Sequence, residues 1–449
     1  MREKLTRKEL VFVASMLFGM FFGAGNLIFP VYLGQLSGSH VWPAVIGFII
    51  TGVGLPLLGV TALGVSRQEG LLPLSSRVGK GYGVFFTCAL YLTIGPCFAI
   101  PRCATVSFTV GAVPILQGRD SAMALGIFSL VFFAAVLAFS FRPSKILTWV
   151  GKVLNPLFLC FLGILVVRAL LSPMGPIQGV EPMDAYATGA FFTGFREGYQ
   201  TMDALASLAF GIVVVNAIRD LGVEKSDAVA KNTIFAGLFS CLLMALIYLM
   251  VTIMGTQSRG LFPVGANGGE ALARIAEHYF GTAGALILAA TVTLACLKTA
   301  IGLVTSCSET FVQMFPKGPS YGVWAVIFSV VSFLIANLGL SAIIDYAVPV
   351  LMFLYPLAIT LILLALFGGL FHNDRRVYLW VTGCTLAAAV FDLLNALPAS
   401  AQALLHVEPL LAATEKVLPF FSLGFGWVCP AILGLVIGLI HARISKGRP

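Results

Sequence analysis

Charge is scarce in this chain. Asp, Glu, Lys and Arg make up 10% of the 449 residues against 59% hydrophobic, and the mean hydropathy is +0.99. That balance excludes a soluble globular domain. Histidine is rarer still: His40, His278, His372, His406 and His441 all fall in loops or near the ends of apolar segments. With no H-E-x-x-H, no P-loop and no nucleophile elbow, the catalytic constellations of an enzyme are missing. Nothing repeats as a ring-forming filter, which argues against a channel. The nine cysteines are odd in number, lie almost all inside apolar runs and include no C-x-x-C. They read as small buried hydrophobes, not as disulfides or metal ligands. No gap between apolar runs is long enough for a second fold, so residues 1–449 read as one transmembrane domain.

What the chain has is apolar runs of about 20 residues from end to end, the length an α-helix needs to cross ~30 Å of hydrocarbon. Twelve are expected: 11–33, 41–64, 81–110, 121–140, 145–171, 189–218, 229–255, 281–313, 321–338, 341–371, 376–397 and 419–442. The basic leader MREKLTRKEL runs straight into the first, which is too long for a signal-peptide core and reads as a retained helix. An even count puts both termini on one side. With the N-terminus inside, inner tails and loops hold 19 of the 27 Lys and Arg. These are Arg2, Lys4, Arg7, Lys8, Arg67, Arg77, Lys80, Arg142, Lys145, Lys152, Arg219, Lys225, Lys231, Lys317, Arg375, Arg376, Arg443, Lys446 and Arg448. The bias predicts cytoplasmic termini in a multi-pass cell-membrane protein. The net charge of +8 then needs an anionic inner leaflet and no nucleic acid. No obligatory protein partner is evident.

Polar residues at membrane depth carry the functional reading. In the first segment, FFGAGNLIFP places Gly23, Gly25, Asn26 and Pro30 where an ordinary spanning helix has none of them. Gly19 and Gly23 form a G-x-x-x-G that serves close helix packing. Gly25, Asn26 and Pro30 instead point to a broken helix, which frees N–H groups at the start of its second half and carbonyls at the end of its first. Secondary transporters pair such breaks across two internal repeats. The sixth segment breaks in the matching place, at GFREGYQTMDALAS, with Tyr199, Gln200, Thr201, Asp203 and Ser207. The third is interrupted at GPCFAIP, Gly95 to Pro101. The eighth carries Gly302, Thr305 and Ser306, either an oxygen cage for a small cation or hydroxyls back-bonded to their own helix.

GAGNLIFP, GPCFAIPR and GYQTMDALASLAFG resemble the bacterial branched-chain amino acid–cation symporters, the transport-system-II carriers. The resemblance runs through nearly the whole chain. It implies the leucine-transporter architecture: all-α and polytopic, five-plus-five inverted repeats with broken helices 1 and 6, then two extra helices. The repeats would span 11–171 and 189–371, and the extra helices 376–442. It implies cation-coupled uptake of leucine, isoleucine and valine, with Na⁺ taken before H⁺ as the coupling ion and no cofactor. Another small solute of the same fold class is the alternative. It implies a Na⁺ site at the carbonyls of Gly19 and Phe22 with Gly302, Thr305 and Ser306, and a second site served by Asn26. The substrate carboxylate would lie on the backbone at Gly23, Ala24, Gly25 and Asn26. The ammonium would meet the carbonyl end at Tyr199–Thr201, with Asp203 supplying charge and Ser207 nearby.

Two ion pairs complete the expectation. Arg102, some 20 residues into the third segment, would lie near the outer mouth and gate it against Asp345 or Glu197. Lys298 lies seven residues before Thr305, two turns less about 20°. It would share that face and pair with Asp203 in the empty site, or snorkel to a wet vestibule.

Overall fold

In a computed structural model of the chain, residues 3–446 are described apart from Ala24, Arg67, Glu69, 114–120 and 142–145. For 146–158, Ser226 and Lys446 only the backbone is described. Ala24, one of the residues expected at the substrate, therefore lies outside the described residues. So do Arg2, Arg67, Arg142, Lys145 and Arg448 of the basic set, and the side chains of Lys152 and Lys446.

The described residues are helices and their connections, with no strand among them. Eight helical stretches are long and apolar enough to cross a bilayer, or nine when the bent pair Tyr186–Thr201 and Asp203–Asp220 is one span. The count reaches twelve for reasons of length. Gly25–Ser66 is 42 residues, about 63 Å of helix and twice what the hydrocarbon needs. Gly38, at φ +51, divides it into two crossings. The shorter apolar helices, represented by Leu159–Leu171 and Tyr321–Ala336, supply the last two.

In chain order the crossings are α1 (Arg7–Phe21 as α1a, Gly25–Ser37 as α1b), α2 (Val41–Ile49 and Leu55–Ser66), α3 (Lys80–Leu92 and Ala99–Gly111), α4 (Ser121–Ser140), α5 (Ile146–Leu171) and α6 (Tyr186–Glu197 as α6a, Asp203–Asp220 as α6b). They continue with α7 (Ser226–Ser258), α8 (Gly268–Met314), α9 (Tyr321–Ala336), α10 (Leu340–Phe367), α11 (Arg375–Ala396) and α12 (Val428–Lys446). α8 kinks at Gly281, φ +59, which only glycine adopts readily. The kink turns Gly268 onward into a short arm before the crossing. Apolar side chains such as Leu130, Val131, Leu242 and Leu334 are exposed on α4, α7 and α9, as expected where the neighbour is lipid.

The packing is two-fold in pattern. α7 packs on α1b, and α2 packs on α6a; α3 packs on α8, and α4 on α9. If α1–α5 and α6–α10 are equivalent, the first two pairings exchange and the last two pair equivalent helices. The contacts are built alike. A Cβ on Gly34 would come within 2.0 Å of Thr252 O, and one on Gly255 within 2.1 Å of Val31 O. On the other side, a Cβ on Gly194 would come within 2.0 Å of Ala44 O, and one on Gly47 within 2.2 Å of Phe191 O. Each pairing lets two backbones approach as only glycine allows. Gly23, the second glycine of the G-x-x-x-G, makes no such contact: a Cβ on it would meet nothing nearer than 3.7 Å. Gly34→Leu or Gly194→Leu is expected to lower the recovery of folded protein at least tenfold, from overpacking of 1–3 kcal/mol or more. Size-exclusion profiles of the tagged protein in detergent measure this; a wild-type profile would show that the helices separate freely.

Candidate functional site

Three helices lose regular geometry at one level, and each loss has a residue-level cause. α1a ends at Phe21 and α1b begins at Gly25. The Gly23 N–H, which would close a helical turn on Gly19 O, donates instead to Asn26 Oδ1 at 3.0 Å. The carbonyl of Gly19 thus lacks its helical partner. α6 bends by 44° through a 3₁₀ turn at Gly198–Thr201 and Met202 at φ +62, a left-handed conformation uncommon for a non-glycine residue. α3 carries a π turn at Thr93–Cys97, with Gly95 outside helical geometry. A further π turn at Ile50–Gly54 in α2 brings the Thr51 hydroxyl to donate to Phe195 O at 2.8 Å, fixing the end of α6a.

The breaks enclose a cavity of about 70 Å³ lined by residues of α1, α3, α6 and α8. Asn26, Asp203 and Arg102 are 2%, 4% and 6% exposed there, so each needs compensation. Asn26 Nδ2 donates to Asp203 Oδ2 at 2.5 Å and to the Tyr248 hydroxyl of α7. That hydroxyl in turn donates to the same carboxylate oxygen at 3.3 Å. One amide therefore ties the α1 break to α6b and α7. Arg102 Nη1 donates to Gln200 O at 2.6 Å, and its guanidinium lies 5.0 Å from the Phe29 ring centroid, within cation–π range. Its Nη2 would be 3.1 Å from a Cβ on Gly25. Arg102 and Asp203, a basic and an acidic side chain, thus line one cavity with no ion pair between them.

Of the residues expected at the substrate, Gly23, Gly25, Asn26, Thr201 and Asp203 line this cavity. Tyr199 does not: it stacks on Tyr355 with centroids 3.9 Å apart and lines a second cavity on the α6a side of the turn. Ser207 is not there either. It back-bonds to Ala204 O at 2.7 Å and packs against Gly59 of α2, where a Cβ would come within 1.9 Å of its Oγ. Two of the carbonyls expected to face an ammonium already accept bonds: Tyr199 O from Met202 N and Gln200 O from Arg102 Nη1.

The expected gate is not assembled. Arg102 sits at the level of the breaks because α3 is 32 residues long, about 48 Å of helix in a ~30 Å layer, and bent midway. Among the described residues it makes no ion pair with Glu197 or Asp345. Glu197 lines the second cavity and Asp345 is exposed. Lys298 is not brought to Asp203, whose Oδ2 is held by Asn26 and Tyr248; Lys298 is half-buried on the next face of α8. Nor do the expected α8 cation ligands face α1. Gly302 looks onto open space, Thr305 accepts from the Tyr321 hydroxyl of α9 at 3.4 Å, and Ser306 lies beside Tyr91 of α3. Thr299 does face it: its hydroxyl would be 3.9 Å from a Cβ on Gly23, and it lines the cavity with Phe21.

Three contributors escape a reading of the sequence: Tyr248, Arg102 as a cavity residue, and Thr299. Tyr248 stands alone in ALIYLMV and reads there as a core aromatic; its one signal is a hydroxyl inside an apolar run.

The arrangement has relatives. Over residues 6–445 the chain matches the model of a family described as branched-chain amino acid transport protein. It is 51% identical to the branched-chain amino acid permease BrnQ of Lactobacillus delbrueckii subsp. lactis, covering 100% of both chains. It is 42% identical to the permease BrnQ of Bacillus subtilis, covering 98% of both. Among solved structures it resembles Mhp1, a nucleobase-cation-symport-1 family transporter, in a closed conformation. There the TM-score is 0.62 at 15% identity, covering 97% of this chain and 92% of that one. It also resembles MhsT in complex with L-phenylalanine, with a TM-score of 0.59 at 16% identity and 98% of both chains covered. These two likenesses show the fold, twelve helices with five-plus-five inverted repeats and breaks in the first and sixth. With the family model spanning almost its whole length, the chain belongs to the branched-chain amino acid transport protein family, polytopic membrane transporters and not enzymes.

Proposed function

We propose that this protein carries leucine, isoleucine and valine into the cell by symport with Na⁺. The observation that carries the reading is the meeting of a basic and an acidic side chain, Arg102 and Asp203, at one buried cavity beside the α1 and α6 breaks. A zwitterion brings the complementary pair. Its carboxylate would meet the Arg102 guanidinium and the N–H groups opening α1b; its ammonium would meet Asp203 at the oxygen that Asn26 and Tyr248 leave free. Both charges would then be compensated without water. The branched side chain would lie against Phe21, Ile94, Phe210 and Leu303, which line the same cavity. An apolar pocket separates solutes differing by one methylene by only about 10–200-fold, so one carrier serves all three. The permease names of the relatives at 51% and 42% identity support this substrate class.

Na⁺ would be held at the end of α1a by the carbonyls of Gly19 and Phe22, with Thr299 as the α8 partner in place of Gly302, Thr305 and Ser306. The Lys and Arg bias supports cytoplasmic termini in the cell membrane, and the two-fold packing supports repeats at 11–171 and 189–371. In proteoliposomes, an inward Na⁺ gradient is expected to drive labelled leucine uptake that unlabelled isoleucine and valine inhibit. Uptake that persists with neither a Na⁺ nor a proton gradient would sink the coupling, and uptake driven by a proton gradient alone would replace Na⁺ by H⁺. Thr299→Val is expected to raise the half-saturating Na⁺ concentration about tenfold, the ~1.4 kcal/mol of one lost ligand. Thr305→Ala with Ser306→Ala is expected to shift it less than twofold, and the reverse ranking would return the ion to those hydroxyls.

A further inference from the structure

A second cavity, of about 340 Å³, lies on the α6a side of the 198–201 turn. The turn is a shared wall: Thr201, Met202 and Asp203 line the central cavity, and Arg196, Glu197, Tyr199 and Gln200 line this one. Its far side is made by α10, α11 and the loop before α12.

The polar lining is unusually short of partners. The Tyr186 and Tyr199 hydroxyls, Arg196 Nε and Gln200 Oε1 are buried without a hydrogen bond. Tyr186, Tyr199 and Gln200 are 3%, 2% and 4% exposed. The carboxylate of Asp392, on a residue 2% exposed, has no side-chain hydrogen bond; its neighbours are the backbone of Gly426 and Trp427 and the charge of Arg196. Buried polar groups are ordinarily paired, so this many orphans around one space mark a place built for a ligand. The inventory is specific. Arg196 and two tyrosine hydroxyls donate; Asp392, Glu197 and Gln200 accept; Val348, Leu351 and Met352 of α10 supply an aliphatic wall.

We propose that this cavity is a second binding site for an aliphatic zwitterionic amino acid, a station outside the central site. The carboxylate would take Arg196 and the tyrosine hydroxyls, the ammonium Asp392, and the side chain the α10 wall. Occupancy of the two sites would be coupled through the 198–201 turn: Gln200 gives its side chain to this cavity, while its carbonyl holds Arg102 in the other. The inference rests on the proposed substrate class and assigns it a second address.

Equilibrium dialysis of labelled leucine against the purified protein tests it. Two molecules per chain are expected for wild type, one for Arg196→Gln and one for Gly25→Val, which spares the outer lining. Leu351→Trp fills the aliphatic side without touching a charge and is also expected to leave one, so a misfolded Arg196 variant does not decide the matter. A single molecule per chain in wild type, lost in Gly25→Val and kept in Arg196→Gln and Leu351→Trp, would overturn the second site and leave the proposed function standing. No binding to wild type would overturn both.

Discussion

Gly25→Val is expected to abolish leucine uptake, by at least a hundredfold, while leaving the protein inserted and folded. A Cβ at this position would lie 3.1 Å from Arg102 Nη2 and 3.2 Å from Phe29 Cε2. Its neighbours are side chains, one of them the cavity-lining Arg102, not packed backbone. The two further methyl groups of valine would have to displace the guanidinium from its place against the α1b N-terminus. Gly25→Ala adds only the Cβ and is expected to keep partial uptake with a raised half-saturating leucine concentration. Gly34→Leu makes the contrast, since its neighbour is the Thr252 carbonyl and the damage there falls on folding. Uptake assays beside detergent size-exclusion profiles separate the two. Wild-type transport by Gly25→Val would remove the case for a site at this break.

Arg102→Met is expected to weaken leucine binding by two orders of magnitude or more. Removing one member of a buried charge set leaves the other uncompensated, at about 3–5 kcal/mol. Here Asp203 would remain among Asn26 and Tyr248 with no cation facing it. The double substitution Arg102→Met with Asp203→Asn is expected to recover folded protein, since the cavity is then neutral, but not leucine affinity. Thermal stability and leucine binding, measured on the two single variants and the double, close the cycle. Full affinity in Arg102→Met would make the guanidinium a static brace on Gln200 O.

The breaks themselves were legible in the sequence. Gly23, Gly25, Asn26 and Pro30 in one apolar run oppose a continuous helix on propensity and polarity alone, and Gly198 with Asp203 does so more weakly in the sixth. What spacing could not fix was rotation and depth. Thr299, Thr305 and Ser306 are all hydroxyl-bearing candidates in a 47-residue helix; Thr299 and Ser306, seven residues apart, share a face on a period of 3.6, and the period does not say at which depth that face meets α1. Counting depth along a straight helix puts Arg102 at the outer mouth, and the π turn at Thr93–Cys97 breaks that count. The pairing of Asn26 with Asp203 spans 177 residues and that with Tyr248 spans 222; no local pattern encodes such contacts. Lys298 has an ammonium for which the structure gives no partner at Asp203, and the correct partner of Asp203 was an uncharged amide.

The central claim is that Arg102 and Asp203 read the two ends of a zwitterion. Competition against labelled leucine by leucinamide, which lacks the carboxylate, and by 4-methylpentanoate, which lacks the ammonium, tests it most directly. Both keep the branched chain, so only the charges differ. Leaving a buried charged group without its partner costs about 3 kcal/mol or more, so each analogue is expected to compete at least a hundredfold more weakly than leucine. In Arg102→Met the gap between leucine and leucinamide is expected to close, because the carboxylate has lost its partner. An analogue that competes as well as leucine in the wild-type protein would contradict the assignment at that end of the substrate.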